Sequence, residues 1–468
     1  MEVTKYYSIS SSEKEEDNAY ISYNTVIGNA LDKKLCMAFD VLDYVLLNSP
    51  GAPLKKALLD AGIGKDIMGS FDDSTLQPLF SIVAKNTNYR EKDRFIQIIR
   101  KTLRDQVQNG LDKKALMAGI NSAEFRFREA DFGSYPKGLI YGLDCMETWL
   151  YDERDPFAHL EALKEFDFLK EQAKGRYFED LIETYLLNNT HASIVCILPE
   201  KGLNAKREEE LRAKLSAYKE SLSAEEIAGL VEDTKRLKQF QDEPSAREDL
   251  EKIPMLTRED LKKNAADFIN EEEYVDRTLM LKHEMYTGGI VYVSLLFDLE
   301  TIPQEDVAYL GLLKAILGYV DTRRYSYGDL ANEINLNTGG ISSYITIYQS
   351  LKDYGEFTAK FEIRGKFLPE KTKEAFSLME EILTGSSLSD DKRLYEIVAQ
   401  VKSRLQMMLS SAGHSVSALR AMSYFSKAAK YNDMTGGIAL YRLAAEIEEN
   451  FEEKKDRKST RLNSSHPS

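Results

Sequence analysis

The clearest hydrophobic pattern in the chain lies in residues 134–160. Apolar side chains recur there at spacings of three and four residues, at Leu139, Leu143, Met146 and Leu150. That period marks one face of an α-helix, and it is typical of a helix packed in a protein core. Asp155 and Pro156 follow, and proline cannot extend a helix because it lacks an N–H and its ring clashes with the preceding turn. The pattern therefore predicts a buried helix that ends in a turn at 155–156.

The rest of the first half alternates between strand-like and helix-like periods. Strands are expected at 20–28, 66–72 and 76–85, and helices at 35–47, 53–61, 90–108 and 112–128. After 134–160, the pattern predicts further helices through 157–187 and an apolar strand at 192–198. Helices gathered on one face of a mostly antiparallel sheet would bury these patterns, so the expected fold class is α+β.

A second unit repeats this order at an offset of about 270–280 residues, which indicates two copies of one fold. Its strands are expected at 289–299, 340–349 and 355–365, and its helices at 306–319, 327–336, 369–383 and 389–409. The second copy stops near Lys455, inside the region that corresponds to the last helices of the first copy. We expect it to be truncated before its closing strand, which would leave an unpaired sheet edge prone to aggregation.

A charged segment, 203–263, separates the two copies. It carries two narrow apolar stripes, the first at Leu211, Leu215, Tyr218 and Leu222 and the second at Ile227, Leu230, Val231 and Leu237. Two such stripes predict an antiparallel helical hairpin that joins two domains. The hairpin is either a plain solvated connection or a hinge between the copies, and the sequence leaves both interpretations open.

These patterns divide the chain into four expected segments. They are an α+β domain at 1–202, the hairpin at 203–265, an incomplete α+β domain at 266–455, and a tail at 456–468. Within the tail, 456–466 resembles the translated read-through of a sequencing-library adaptor. We therefore treat the tail as an artefact with no part in the fold.

Composition narrows the possible partners. The 468 residues are 43% hydrophobic and 30% charged, as in ordinary folded proteins. The net charge of −15 argues against nucleic acid or an anionic membrane as the main partner, because phosphate binding needs clustered Lys and Arg. No apolar run approaches the roughly 20 residues that cross a bilayer. Three widely spaced cysteines, Cys36, Cys145 and Cys196, are expected to be buried and reduced, which favours the cytoplasm or an organelle matrix.

The candidate chemistry is sparse. The chain has five histidines, and none belongs to H-E-x-x-H or its inverted form H-x-x-E-H, in which two imidazoles one helical turn apart hold zinc. His283 and Glu284 are adjacent, and adjacent side chains diverge on a helix or strand. The G-x-S-x-G, Walker and C-x-x-C motifs are also absent from the sequence. We expect no catalytic residue and no metal ligand in this chain, and its substrate-binding residues stay unknown.

Three further motifs have ordinary structural explanations. Thr338-Gly339-Gly340 and Thr287-Gly288-Gly289 are expected to be turns into strands, because neither opens a helix after a strand as a phosphate-binding loop does. Asp152, Glu153 and Asp155 lie beside Arg154 and are expected to be solvated carboxylates at a helix end.

Segment 134–160 is also informative as a set of motifs. The positions are 135–139, Gly142, Leu143, Met146, 149–152 and 155–160. They resemble the second domain of presequence-protease-like peptidases, which belong to the insulinase/pitrilysin group of zinc metallopeptidases. Residues 289–292, 297–299 and 319–322 look like the start of the third domain in that family. The resemblance covers nearly all of the chain up to Lys455.

This resemblance implies a large peptide-degrading enzyme. In the family, four α+β domains form two halves that a helical hairpin joins, and the halves close around unfolded peptides. The zinc site, H-x-x-E-H plus a distal glutamate, lies in the first domain. By resemblance this chain is domain 2, the hinge and part of domain 3, without the first and fourth domains. We therefore expect peptide substrates and zinc for the full-length protein, and neither stoichiometric zinc nor proteolysis for this chain.

A different class of function fits the same residues. The chain could be a non-catalytic scaffold or partner subunit that uses this fold to hold peptides or another chain. The resemblance to the peptidase family further implies that Trp149 lies where the second domain supports the missing catalytic domain, so we expect a large apolar helix surface there that lacks its partner.

Overall fold

The computed structural model describes residues 1–261, 263–264, 269–353 and 355–451. The predicted tail at 456–468 lies outside these residues, as do the predicted end of the third domain and part of the boundary near 265. The chain forms two compact units. Among the described residues, one unit comprises Met1–Tyr7, Ser12–Pro199 and those from Gly288 to 451, and the other comprises Ser8–Ser11 and those of Glu200–Thr287.

The first copy is built on a five-stranded sheet. Its strands are β1 (Glu2–Ile9), β2 (Ala19–Val26), β3 (Asp66–Asp72), β4 (Leu79–Thr87) and β5 (Ala192–Lys201), in the spatial order β1-β5-β2-β4-β3. The β2 strand pairs antiparallel with both β4 and β5. Its alternate residues are buried, including Ile21 and Tyr23, which is why the period-two pattern predicted it.

Seven helices accompany this sheet. They are α1 (Lys33–Asp43), α2 (Pro53–Asp60), α3 (Lys92–Asn109), α4 (Lys113–Glu129), α5 (Lys137–Trp149), α6 (Leu163–Gln172) and α7 (Tyr177–Leu181). Short π-helical segments, Tyr44–Asn48 and Ile182–Leu187, extend α1 and α7. Phe39 on α1 lies at the centre of the core, where its ring contacts those of Phe71, Phe80 and Tyr185 at centroid distances of 5.7–5.9 Å.

The second compact unit holds the charged segment. It contains α8 (Leu203–Ser221), α9 (Ala224–Asp242), α10 (Arg247–Leu250) and a two-stranded sheet of β6 (Glu271–Val275) and β7 (Thr278–Lys282). Ser223 begins α9 with a capping box, because its hydroxyl accepts from the Glu226 N–H while the Glu226 carboxylate accepts from the Ser223 N–H. The two long helices were predicted, and the β6–β7 hairpin was not.

Within its described residues, the second copy contains a three-stranded antiparallel sheet and seven helices. The strands are β8 (Val291–Asp298), β9 (Gly340–Gln349) and β10 (Phe357–Phe367), in the order β8-β10-β9. The helices are α11 (Val307–Ile316), α12 (Tyr327–Asn337), α13 (Thr372–Gly385), α14 (Asp391–Ser411), α15 (Gly413–Met422), α16 (Lys427–Gly436) and α17 (Ile438–Glu449). Phe361 and Phe367 of β10 are fully buried in its core.

The order of elements repeats between the copies as predicted, and the fold class is α+β. β8, β10 and β9 correspond to β2, β4 and β3. Beyond β8, where the first sheet continues with β5 and β1, the second sheet has no further strand among the described residues. The predicted domain boundaries stay predictions.

Within the first unit, the two copies contact each other directly. The Lys366 ammonium donates to Glu129 on α4 at 2.5 Å, and the Tyr292 hydroxyl donates to the same carboxylate at 2.8 Å. Lys114 pairs with Glu333 on α12 at 2.7 Å. The first and second copies are therefore parts of one packed body.

None of the helices in the described part of the chain is both long and apolar enough to cross a membrane. Cys36, Cys145 and Cys196 are all free and buried, as the sequence predicted.

Candidate functional site

Helix α5 presents an apolar surface to solvent. Its exposed fractions are 51% for Leu139, 54% for Leu143 and 52% for Trp149. The residues that α5 buries are Cys145 and Thr148 instead. The prediction of a core helix with buried leucines is therefore wrong, whereas the expected bare apolar surface around Trp149 is confirmed. The spacing identified an apolar face, and this face has no cover within the described residues.

The turn that follows α5 is held by local hydrogen bonds. The buried Thr148 hydroxyl lies 3.3 Å from the Asp155 carbonyl oxygen, to which it donates. The Arg154 guanidinium donates to both carboxylate oxygens of Asp152, at 2.8 and 2.6 Å, and these bonds lower the pKa of Asp152 to about 2. Asp152 is therefore a structural carboxylate, and the predicted turn at 155–156 is confirmed.

This turn brings a histidine back against α5. His159 lies in a 3₁₀ turn, Ala158–Leu160, and its Nδ1 is 3.9 Å from Oε2 of Glu147. Asp73, directly after β3, completes the group. One ligand atom from each of the three residues lies within 4.8 Å of the other two. Carboxylate oxygens and an imidazole nitrogen at this separation can hold a metal ion.

The electrostatics of this cluster are unusual, because carboxyl groups outnumber cations. Burial raises the pKa of Glu147 to about 7, and the negative charges of Asp73, Asp144 and Asp72 act in the same direction. Burial also raises the pKa of Asp73 and lowers that of His159. The imidazole is therefore neutral at neutral pH and offers a lone pair.

Other predicted candidates lie elsewhere. His283 is exposed, and its Nδ1 lies 2.8 Å from the carbonyl oxygen of Ile269. Neither His283 nor Glu284 belongs to a group of potential metal ligands in the described part of the chain. The 338–340 motif is a turn into β9, as predicted, because the Gly340 N–H donates to the Thr338 hydroxyl at 3.0 Å.

Sequence reasoning missed the Asp73, Glu147 and His159 cluster. Its members lie on three separate segments of the chain, so no local spacing connects them. A signal existed only in the turn at 155–156, which returns the chain toward the helix that carries Glu147. The expectation that this chain has no metal site stays a prediction.

Two family models, both of peptidase domains, match different parts of this chain. The family model "Peptidase M16-C associated" matches residues 197–447. A second family model, "Peptidase M16 inactive domain", matches residues 3–122. The first match covers more than half of the chain.

Individual relatives extend these matches to nearly the whole chain. Protein HypA of Clostridium perfringens is 41% identical over 454 residues, which cover 97% of this chain and 46% of HypA. Presequence protease 1, chloroplastic/mitochondrial, of Arabidopsis thaliana is 29% identical over 90% of this chain and 40% of that protein. The chain thus spans less than half the length of these two relatives. Among solved structures, pitrilysin matches 94% of this chain and 44% of its own, with 14% identity and a TM-score of 0.40.

Proposed function

The chain belongs to the peptidase M16-C associated family, in the insulinase/pitrilysin group, and from this premise we propose that it is the non-catalytic part of a zinc-dependent metalloendopeptidase. In this proposal it supplies the wall of a peptide chamber and the hinge between two halves of the enzyme. The complete protein degrades short unstructured peptides. The observation that carries the proposal is the match of residues 3–122 to an inactive peptidase domain, next to the match of residues 197–447.

The chain's own residues support the absence of a hydrolytic role. The zinc of such enzymes needs two histidines and a glutamate in H-x-x-E-H, and this motif does not occur in the sequence. The residues present therefore do not fit the family's zinc centre. We assign no step of peptide hydrolysis to this chain, and its contribution is to enclose and position the peptide.

Two structural features support this non-catalytic role. The ion pairs between the copies, at Glu129 and at Glu333, hold the two α+β sheets in one body that could form a wall. The exposed face of α5 around Trp149 offers an apolar surface of the kind that a neighbouring domain buries. Helices α8 and α9 are the candidate hinge.

A complementation assay tests this proposal. An internally quenched, unstructured, cationic peptide is incubated with this chain alone, and with this chain plus the part of Protein HypA that it does not match. We expect no cleavage by the chain alone and chelator-sensitive cleavage by the mixture. Chelator-sensitive cleavage by the chain alone would contradict the proposal. Peptide binding without cleavage in the mixture would favour the scaffold interpretation.

A further inference from the structure

Three separate segments of the first copy bring metal-ligating side chains to one place. Asp73 follows the last residue of β3, Glu147 lies in the last turn of α5, and His159 lies in the 3₁₀ turn beyond it. Their ligand atoms are all within 4.8 Å of one another. A transition-metal ion bound at about 2.0–2.2 Å from each donor atom would hold the donor atoms about 3–4 Å apart. Small side-chain movements would therefore complete the site.

The imidazole of His159 faces Glu147 through Nδ1. Nδ1 lies 3.9 Å from Oε2 of Glu147, which is beyond hydrogen-bond distance, so the two atoms leave room for an ion between them. Nε2 of the same ring is buried and has no hydrogen-bond partner among the described residues. The side chains of His159 and Glu147 keep 13% and 27% of their surface exposed, so an ion can reach the donors from solvent.

The charges around the cluster favour a cation. Asp144 and Asp72 add two carboxyl groups to those of Asp73 and Glu147. Lys33 acts on His159 with its positive charge, and its ammonium is already engaged, because it lies 3.9 Å from Glu165 and donates to the Glu161 carbonyl. Without an ion, the crowded carboxyl groups repel one another at close range. A divalent cation would neutralise two of them.

We propose that Asp73, Glu147 and His159 form a binding site for one divalent first-row transition cation. Two carboxylates and one imidazole are a mixed oxygen and nitrogen donor set, which suits Zn²⁺ and Mn²⁺ better than Mg²⁺. The site lies in the first copy and is built from residues outside any H-x-x-E-H motif.

The bound ion has a structural consequence. It links the loop after β3 to the C-terminal end of α5 and to the turn at 158–160. This link fixes the orientation of α5 and, with it, the exposed apolar face around Trp149. The inference revises the expectation, made from the sequence, that this chain binds no metal, and it does not depend on the proposed peptidase function.

Metal titration of the purified full chain tests the proposal. After chelator treatment and desalting, the protein is titrated calorimetrically with Zn²⁺ and separately with Mn²⁺, and Mg²⁺ serves as the comparison ion. We expect saturable binding of one Zn²⁺ or Mn²⁺ per chain, and Mg²⁺ binding at least tenfold weaker. Co²⁺ should give visible absorption bands from the same site. Because binding to the folded state stabilises it, the unfolding temperature should rise with Zn²⁺ concentration.

Near-isosteric variants locate the site. Glu147→Gln and Asp73→Asn should each lower the Zn²⁺ affinity at least tenfold, and His159→Gln should abolish the one-to-one binding. His191→Gln, at a histidine outside the cluster, should bind as the parent does. Circular dichroism in chelator checks that each variant folds. If His159→Gln does not fold, the Zn²⁺ affinity of Glu147→Gln is the deciding measurement. The proposal is overturned if the parent shows no saturable one-to-one binding, or if Glu147→Gln combined with His159→Gln binds Zn²⁺ as tightly as the parent.

Discussion

Asp43 is a carboxyl group in the core of the first copy. The residue keeps only 9% of its surface exposed, and the Asn48 amide donates to its Oδ2 at 2.6 Å. Its Oδ1 is buried and has no partner among the described residues. Burial and the nearby Asp40 raise the pKa of Asp43 to about 7, against opposing contributions from Asn48 and Arg126. The folded protein therefore prefers the neutral carboxyl.

This raised pKa predicts a pH-dependent stability. Between the unfolded value of 3.8 and about 7, the folded state holds a proton that the unfolded state has lost. The free energy of unfolding should therefore fall as pH rises through this range, and each unit of pKa difference corresponds to about 1.4 kcal/mol. Asp43→Asn should stabilise the protein at pH 8, by up to a few kcal/mol, and have little effect at pH 4.

Urea unfolding of the parent and of Asp43→Asn from pH 4 to pH 8 measures this difference. Asp152→Asn is the matched control, because the pKa of Asp152 is lowered by Arg154 and its loss should not stabilise the protein at any pH. If the difference in unfolding free energy between Asp43→Asn and the parent is the same at pH 4 and at pH 8, the raised pKa of Asp43 is refuted.

Gly339 is required for a close approach between the copies. A Cβ at this position would overlap the ring of Phe125, which belongs to α4 of the first copy, and would come nearest to its Cε1. Gly339→Ala should therefore destabilise the protein by about 1–3 kcal/mol, because the added methyl group forces the Phe125 ring or the backbone to move. Thermal unfolding checks this value.

A double-mutant cycle separates the clash from general backbone effects. In a Phe125→Ala background, Gly339→Ala should cost much less, because the ring that it meets is gone. Gly142→Ala, on α5 where an added Cβ meets nothing within 4 Å, should be neutral or slightly stabilising. An equal cost of Gly339→Ala in both backgrounds would show that Phe125 is not the cause.

At the scale of elements, the second sheet exposes an edge. β8 pairs with β10 along its full length and with no other strand in the described structure, and Leu296 on its surface is 48% exposed. Open edges with apolar side chains recruit other chains, and lysine on an edge strand prevents this. Position 296 lies directly opposite Glu362 of β10, so the lysine introduced by Leu296→Lys would also be attracted to that carboxylate.

We expect Leu296→Lys to lower the rate of aggregation, measured as light scattering at increasing protein concentration. Leu351→Lys makes the same change at a leucine that is 91% exposed and lies after β9, away from this edge, and it should aggregate as the parent does. The edge is not the cause if both variants reduce scattering equally.

The same scale explains which elements the sequence could predict. β2 and β10 have a buried face, so their apolar positions alternate and reveal them. β1 and the β6–β7 hairpin bury little, and their patterns carry no such signal. On α5 the spacing identified an apolar face, but spacing carries no information about what covers that face. The Asp73, Glu147 and His159 cluster depends on a tertiary approach of three elements, which local patterns do not contain.

At the scale of the whole molecule, the chain linking the copies lies in the second compact unit, whereas the copies themselves contact each other in the first. The contact includes Glu129, whose side chain is only 4% exposed and which accepts from Lys366 and Tyr292. By contrast, the Arg247 side chain in the linking segment is 90% exposed. Cutting the link should therefore leave the contact between the copies in place.

Limited trypsin digestion tests this expectation. Cleavage should begin near Arg247, and the two fragments should still elute together from a size-exclusion column, because the packed surface between the copies does not need a covalent connection. Glu129→Lys places a positive charge against Lys366 inside this surface, so its fragments should separate after the same cut. Glu91→Lys reverses a charge in an exposed pair with Arg94 inside the first copy, and its fragments should stay together. Separate elution of the parent fragments would mean that the copies are held together mainly by the connecting chain.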